Sequence, residues 1–236
     1  MLKHKNIEDI LKETVYLGRG IIIGKSKNNI AIAYFLTGRS ENSQNRIFAN
    51  EGDTLLTKPF DEKKVKDPTL IIYAPIRNIE NKIIVTNGAQ TDTIYEYIKN
   101  GSTFEEALYT HTFEPDPPIY TPRISAITVK ENDNFSYKLS ILKASDESGT
   151  KCYRYFFNYE ATDNLGHFIH TYENVDNTPV AFEGEPKSVI IPDDIDSFAS
   201  DIWNNLFEKN RISLFVEFID IKTGKKEKRM FNRHLM

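Results

Sequence analysis

The sequence predicts a layered α+β fold. Short runs of β-branched and aromatic residues, parted by turn residues, open the chain and are followed by helical spacing. The same order recurs in the second half, which is the rhythm of sheets packed against helices. Composition supplies the material: of 236 residues, 39% are hydrophobic and 12% aromatic, enough for a sizeable core and too much for disorder. With no fixed-period repeat and no low-complexity linker, one domain over residues 1–236 is expected.

Each element has a local reason. Residues 6–13 predict a short helix capped by Asn6. "VYLGRGIIIGKS" and "NNIAIAYFLTG" read as strands, with "KSKNN" as hairpin material between them. "RIFANEGDTLLTKPF" continues the β pattern, and "TLIIYAPIRNIENKIIVTNG" holds two more strands about the turn "RNIEN". Sheet order is not readable from these runs. In "AQTDTIYEYIKNG", Ile94, Tyr97 and Ile98 have helical spacing and Gly101 is a stop. "STFEEALYTHT" begins with a capping-box pattern, Ser102 or Thr103 followed by Glu105 or Glu106. The four prolines of "FEPDPPIYTPR" exclude regular structure there. Strands are then expected at "ISAITVKEN", "NFSYKLSILKA", "KCYRYFFNYEA" and "HFIHTYEN". A helix over 193–208 has Asp193 or Asp194 as cap and Ile195, Phe198, Ile202 and Leu206 on one stripe, and should lie on an outer layer. "RISLFVEFIDIKTG" and "KKEKRMFNRH" close the chain as strands.

Charge and cysteine usage narrow the function classes. Thirty basic and 34 acidic residues give a net charge of -4, which argues against a general grip on nucleic acid but allows one local basic pocket. A single cysteine, Cys152, cannot form an intrachain disulfide and fits a reducing compartment. Acidic residues near the N-terminus, where a secretory signal would be apolar, and the lack of a long apolar run predict a soluble cytoplasmic protein without membrane association.

Several stretches carry groups suited to chemistry. "TGRSENSQNR" places Arg39 and Arg46 straight after an apolar run, where an anion could be held. "YLGRG" adds Arg19, and Gly18, Gly20 and Gly38 would let a ligand approach the backbone. For any one arginine, a structural salt bridge explains as much. "FEPDPPIYTPR" sets Glu114, Asp116, Tyr120 and Arg123 on a chain stiffened by proline; it reads equally well as a surface crossover with ordinary charges. "TNGAQTD" brings Asn87 and Gln90 to a strand-to-helix junction, able to read an amide or base, or merely to turn the chain and cap the helix. His167 and His170, three apart on a strand, face opposite ways, so no metal site is expected. No GxGxxG, Walker loop or G-x-S-x-G elbow is present.

Taken together, "YLGRGIIIGKSKNNIAIAYFLTGRSENSQNRIF", "IIYAPIRN", "VTNGAQTDTI", "FEPDPPIYTPRI" and "HTYENVDNTPVAFEGEP" resemble, in order and spacing, the IMP cyclohydrolase family first known from archaea. Leu17, and the residues before Phe182, depart from the family pattern at motif edges. The resemblance implies a four-layer αββα sandwich like that of the N-terminal nucleophile hydrolases, without their processed nucleophile. It implies cyclisation of FAICAR to IMP with loss of water, no metal or other cofactor, a nucleotide ligand and a homo-oligomer. By resemblance, Arg39, Tyr73 and Glu114 are the catalytic expectations, with Asn87 orienting the carboxamide or base. Gln90, Asp116 and Tyr120 are further substrate-binding expectations, and Arg19, Arg46 and Arg123 are candidates for the phosphate. An amide hydrolase on the same sandwich, or a nucleotide-binding protein without turnover, is the competing reading.

Overall fold

The computed structural model describes residues 4–52, 54–65, 71–173 and 179–236. Residues 53, 69–70 and 174 of the expected β segments therefore lie outside the described residues. Helix α1 (Ile7–Lys12) starts after Asn6 and buries Ile7, Ile10 and Leu11. Strands β1 (Arg19–Ser26) and β2 (Asn29–Thr37) form a hairpin whose turn places Lys27 at φ 44°. A one-turn helix, α2 (Glu41–Gln44), leads into β3 (Ile47–Glu51) and β4 (Thr54–Lys58). Strands β5 (Tyr73–Ile79) and β6 (Lys82–Thr86) precede α3 (Gln90–Lys99) and α4 (Phe104–Tyr109). Thr103 and Glu106 close the capping box of α4.

After the proline-rich segment come β7 (Arg123–Glu131), β8 (Asn134–Ala144) and β9 (Cys152–Glu160). The expected strand "HFIHTYEN" divides at Thr171 into β10 (Leu165–His170) and the short β11 (Tyr172–Glu173), which pairs with β12 (Val180–Ala181). Strand β13 (Lys187–Ile190) begins inside the turn-like stretch "FEGEPKS", whose composition gives no β signal. Helix α5 (Ile195–Asn205), capped by Asp194, and strands β14 (Arg211–Asp220) and β15 (Lys226–Asn232) complete the chain.

The two large sheets are antiparallel throughout. One runs β13-β10-β1-β2-β14-β15, the other β3-β4-β5-β6-β7-β8-β9. Alternating side chains of the central strands enter different cores. Ile21 and Ile23 of β1 meet Val85, Ile124 and Leu139 in a core between the sheets. Ile22 faces the other way, onto Leu11 of α1 and Phe198 and Ile202 of α5. Ile84, Ile127 and Leu142 pack under Ile94 of α3 and Phe104 and Leu108 of α4. The sheets are thus covered on both faces, which is why β1 and β2 read as continuous apolar runs rather than as alternation.

Candidate active site

A cavity of about 260 Å³ opens where the entry to β1, the exit from β2, helix α2 and the proline-rich segment meet. Arg19, Arg39, Arg46, Glu114 and Asp116 line it, together with Tyr16, Thr121 and Tyr172. Arg39 and Arg46 flank α2, whose turn is started by the Ser40 side chain accepting from the Ser43 amide. That local cap folds "TGRSENSQNR" back on itself and brings both arginines to one cavity.

The charges are unevenly matched. An Arg19 terminal nitrogen lies 3.5 Å from Glu114 Oε2, with both side chains almost buried. Burial opposes the Arg19 charge, but Glu114 and the phenols of Tyr172, Tyr73 and Tyr34 outweigh it and raise its pKa further. Arg46 is 4% exposed, and its Nε donates to the Ser43 carbonyl at 2.8 Å. Burial lowers its pKa and the like charge of Arg19 lowers it again. A buried guanidinium next to another cation is a site that an anion would relieve.

Arg123 stands behind Glu114 and outside the cavity lining. It donates to Gln90 Oε1 at 2.8 Å, and burial lowers its pKa while Glu114 raises it. Gly88 leaves room for this pair: a Cβ there would lie 2.8 Å from an Arg123 terminal nitrogen and 3.5 Å from Glu114 Oε1. Gln90 Nε2 in turn donates to Asn87 Oδ1, which also accepts from the Ile124 amide, while Asn87 Nδ2 donates to the Pro122 carbonyl. The Asn87 and Gln90 amides therefore tie β6, α3 and β7 together and carry Arg123, rather than facing the cavity.

Tyr73 is 6% exposed and also lies off the cavity lining, with its Oη 2.7 Å from Tyr34 Oη. It acts electrostatically on Arg19, Arg46 and Arg123. Tyr120 takes φ 49° and packs edge-on against Phe113; a Cβ on Gly149 would fall 2.5 Å from its ring. It is not among the residues that line the cavity. The glycines expected to admit a ligand are filled by protein instead: Cβ atoms on Gly20 and Gly38 would strike Phe35 and Ser43.

Tyr16, Thr121, Tyr172 and Tyr34 carry no local sequence signal of a site. Tyr172 is far from Tyr16 along the chain, and no local pattern announces that their rings stack. Among the described residues, no group of three His, Cys, Asp or Glu is placed to hold a metal ion, and no helix is long and apolar enough to cross a membrane.

Comparison with known proteins adds a family. Residues 16–225 match the model of the IMP cyclohydrolase-like proteins. A protein named IMP cyclohydrolase from Methanopyrus kandleri is 32% identical over 117 residues, 48% of this chain and 59% of that one. The protein of that name from Methanothrix thermoacetophila is 29% identical over 180 residues, covering 75% and 83%. That from Methanococcus aeolicus is 25% identical over 195 residues, covering 79% and 88%. The first of these alignments spans less than two thirds of its relative's length, the other two more.

Proposed function

Since the chain belongs to the IMP cyclohydrolase-like protein family, we propose that it is an IMP cyclohydrolase, closing FAICAR to IMP with release of water in the last step of purine biosynthesis. The observation that carries this reading is the pairing of a buried carboxylate, Glu114, with an excess of guanidinium around one cavity. Four arginines (Arg19, Arg39, Arg46, Arg123) surround two carboxylates (Glu114, Asp116), which suits a phosphorylated ligand that also needs a proton moved.

The reaction sets physical demands. The carboxamide nitrogen attacks the formyl carbon of the same molecule, a C–N bond forms, and the former formyl oxygen leaves as water. Because both partners are in one molecule, much of the acceleration comes from holding the formyl group against the amide. Glu114 takes one carboxamide proton and returns it to the former formyl oxygen, and the second proton of the departing water comes from the formamido nitrogen, which becomes the doubly bonded nitrogen of the closed ring. Arg39 stabilises the charge that develops on the formyl oxygen, and Tyr73, off the lining, supports the site through its field on Arg19 and Arg46. Arg46 and Arg19 hold the phosphate, with Arg123 adding a longer-range field from behind Glu114. Asp116 stands at the rim for the ribose. Asn87 and Gln90 support Arg123, and Tyr120 braces the rigid segment that bears Glu114. The step balances without a redox partner.

The two sheets with helices on their outer faces support a four-layer αββα arrangement of the N-terminal nucleophile hydrolase type, in a single domain. The same reading places the enzyme in the cytoplasm as a homo-oligomer with no nucleic-acid partner. Purified protein incubated with FAICAR should form IMP at a rate proportional to enzyme. Tight IMP binding without turnover would instead favour a nucleotide-binding protein.

A further inference from the structure

We propose that Asp116, Thr121, Tyr172 and Tyr16 form a positioning ladder that holds the Arg39 guanidinium at the cavity mouth; its kinetic consequence, though not its existence, rests on the cyclohydrolase reading. The contacts are continuous. Arg39 Cζ sits 4.5 Å from the centroid of the Tyr16 ring. The Tyr16 ring stacks on Tyr172, with centroids 5.6 Å apart and planes 23° from parallel. Tyr172 Oη lies 2.6 Å from Thr121 Oγ1, which lies 2.5 Å from Asp116 Oδ2.

Hydrogen-bond polarity fixes the lower rungs. A carboxylate can only accept, so the one hydroxyl proton of Thr121 goes to Asp116. Thr121 must then accept from Tyr172, which sets the direction of the phenol O–H. Burial raises the Tyr172 pKa above the ordinary phenol range, more than Arg19 and the Thr121 hydrogen bond lower it, so the phenol keeps the proton it donates. The Thr121 amide also donates to Asp116 Oδ1 at 2.7 Å, which clamps the carboxylate on its other oxygen.

The backbone is shaped to admit the Tyr172 ring. Gly18 has φ +73°, and a Cβ there would lie 2.0 Å from Thr171 Oγ1 and 2.7 Å from the ring. Thr171 Oγ1 accepts from the Arg19 amide and donates to the Leu17 carbonyl, tying the entry of β1 to the β10–β11 junction. Thr121 is 2% exposed and Tyr172 3%, whereas Tyr16 is half-buried and Arg39 exposed. A long exposed arginine loses rotamer freedom when it grips a ligand, and a ladder that has already ordered it lessens that loss.

The first test needs no substrate. Phenylglyoxal modification of Arg39 in the full chain, followed by mass spectrometry, should be at least about 3-fold faster in Tyr16→Leu and Tyr172→Leu, the scale of losing a weak cation–π contact. Tyr16→Phe, which keeps the ring, should restore the wild-type rate. The buried Arg46 serves as an internal control for folding, since its labelling should not change. Unchanged Arg39 labelling in both leucine variants would overturn the ladder. The second test is a cycle with Arg39→Ala. Tyr172→Leu should lower kcat for FAICAR about 10-fold in the wild-type background and under about 2-fold in Arg39→Ala, because coupled residues are not additive. Equal losses in both backgrounds would show that Tyr172 acts independently of Arg39. Should wild-type protein not cyclise FAICAR, the functional reading falls and the labelling result alone decides the ladder.

Discussion

Tyr34 of β2 and Tyr73 of β5 join their phenol oxygens at 2.7 Å, a hydrogen bond that crosses from one sheet to the other beneath the arginines. Tyr34 is fully buried, and burial holds its pKa well above the ordinary phenol range despite the nearby Arg19 and Arg46. It therefore stays protonated and fixes the position of Tyr73. Tyr34→Phe should lower kcat about 10-fold, with stability reduced by about 1–3 kcal/mol for the partner left unsatisfied. Tyr73→Phe removes the same hydrogen bond from the other side and should lower kcat by a similar factor. Wild-type kcat and melting temperature in Tyr34→Phe would remove the pair from the account.

Glu114 balances Arg19 directly and Arg123 electrostatically. Glu114→Gln keeps the shape and removes the proposed proton acceptor. The expected loss in kcat is about 100-fold or more, with little change in KM. Thermal stability should fall as well, since the partly buried Arg19 and Arg123 lose their counter-charge, and added phosphate should restore part of it. A variant with near-normal kcat would shift the proton-transfer role to Asp116.

Arg46 and Arg123 are both proposed to serve the phosphate, and their placement separates them. Arg46 lines the cavity, whereas Arg123 is held by Gln90 behind it. Arg46→Ala should raise KM by about 10-fold or more at nearly constant kcat, as for a contact made equally in ground and transition states. Arg123→Ala should raise KM less. Steady-state kinetics with both variants decides, and the reverse order would place the phosphate beside Gln90.

Acid should destabilise the protein through His170. This residue is fully buried, and burial above all, with Lys187 adding, lowers its pKa to about 3. The unfolded chain binds the proton with a pKa of about 6.5, so stability is fully present above that value and is lost as pH falls toward 3. His170→Phe should reduce the stability difference between about pH 7 and about pH 4.5 by about 2 kcal/mol. Chemical denaturation at both pH values measures it, and an unaltered difference would assign the acid sensitivity elsewhere.

Much of the fold was legible because its signals are local. The apolar runs of β1 and β2 and the stripe of Ile195, Phe198 and Ile202 needed no long-range information. Sheet order was not legible, since β1 pairs with the distant β10 and β2 with β14. Helix α2 was missed because "ENSQ" has no apolar residue and is held by the Ser40 cap. The same logic applies to the site. Arg19, Arg39, Arg46, Glu114 and Asp116 stood out as charges in unusual local settings. Tyr16, Thr121 and Tyr172 gain their meaning from a stack and a hydroxyl relay that only folding creates.

The central claim is that this cavity closes the purine ring using Glu114. The most direct measurement follows FAICAR and IMP together by chromatography, with wild-type protein and Glu114→Gln at equal concentration and verified fold. The account predicts stoichiometric conversion of FAICAR to IMP by the wild type, with the variant slower by about 100-fold or more. No IMP from the wild type above the uncatalysed rate, or equal rates from the two proteins, would contradict it.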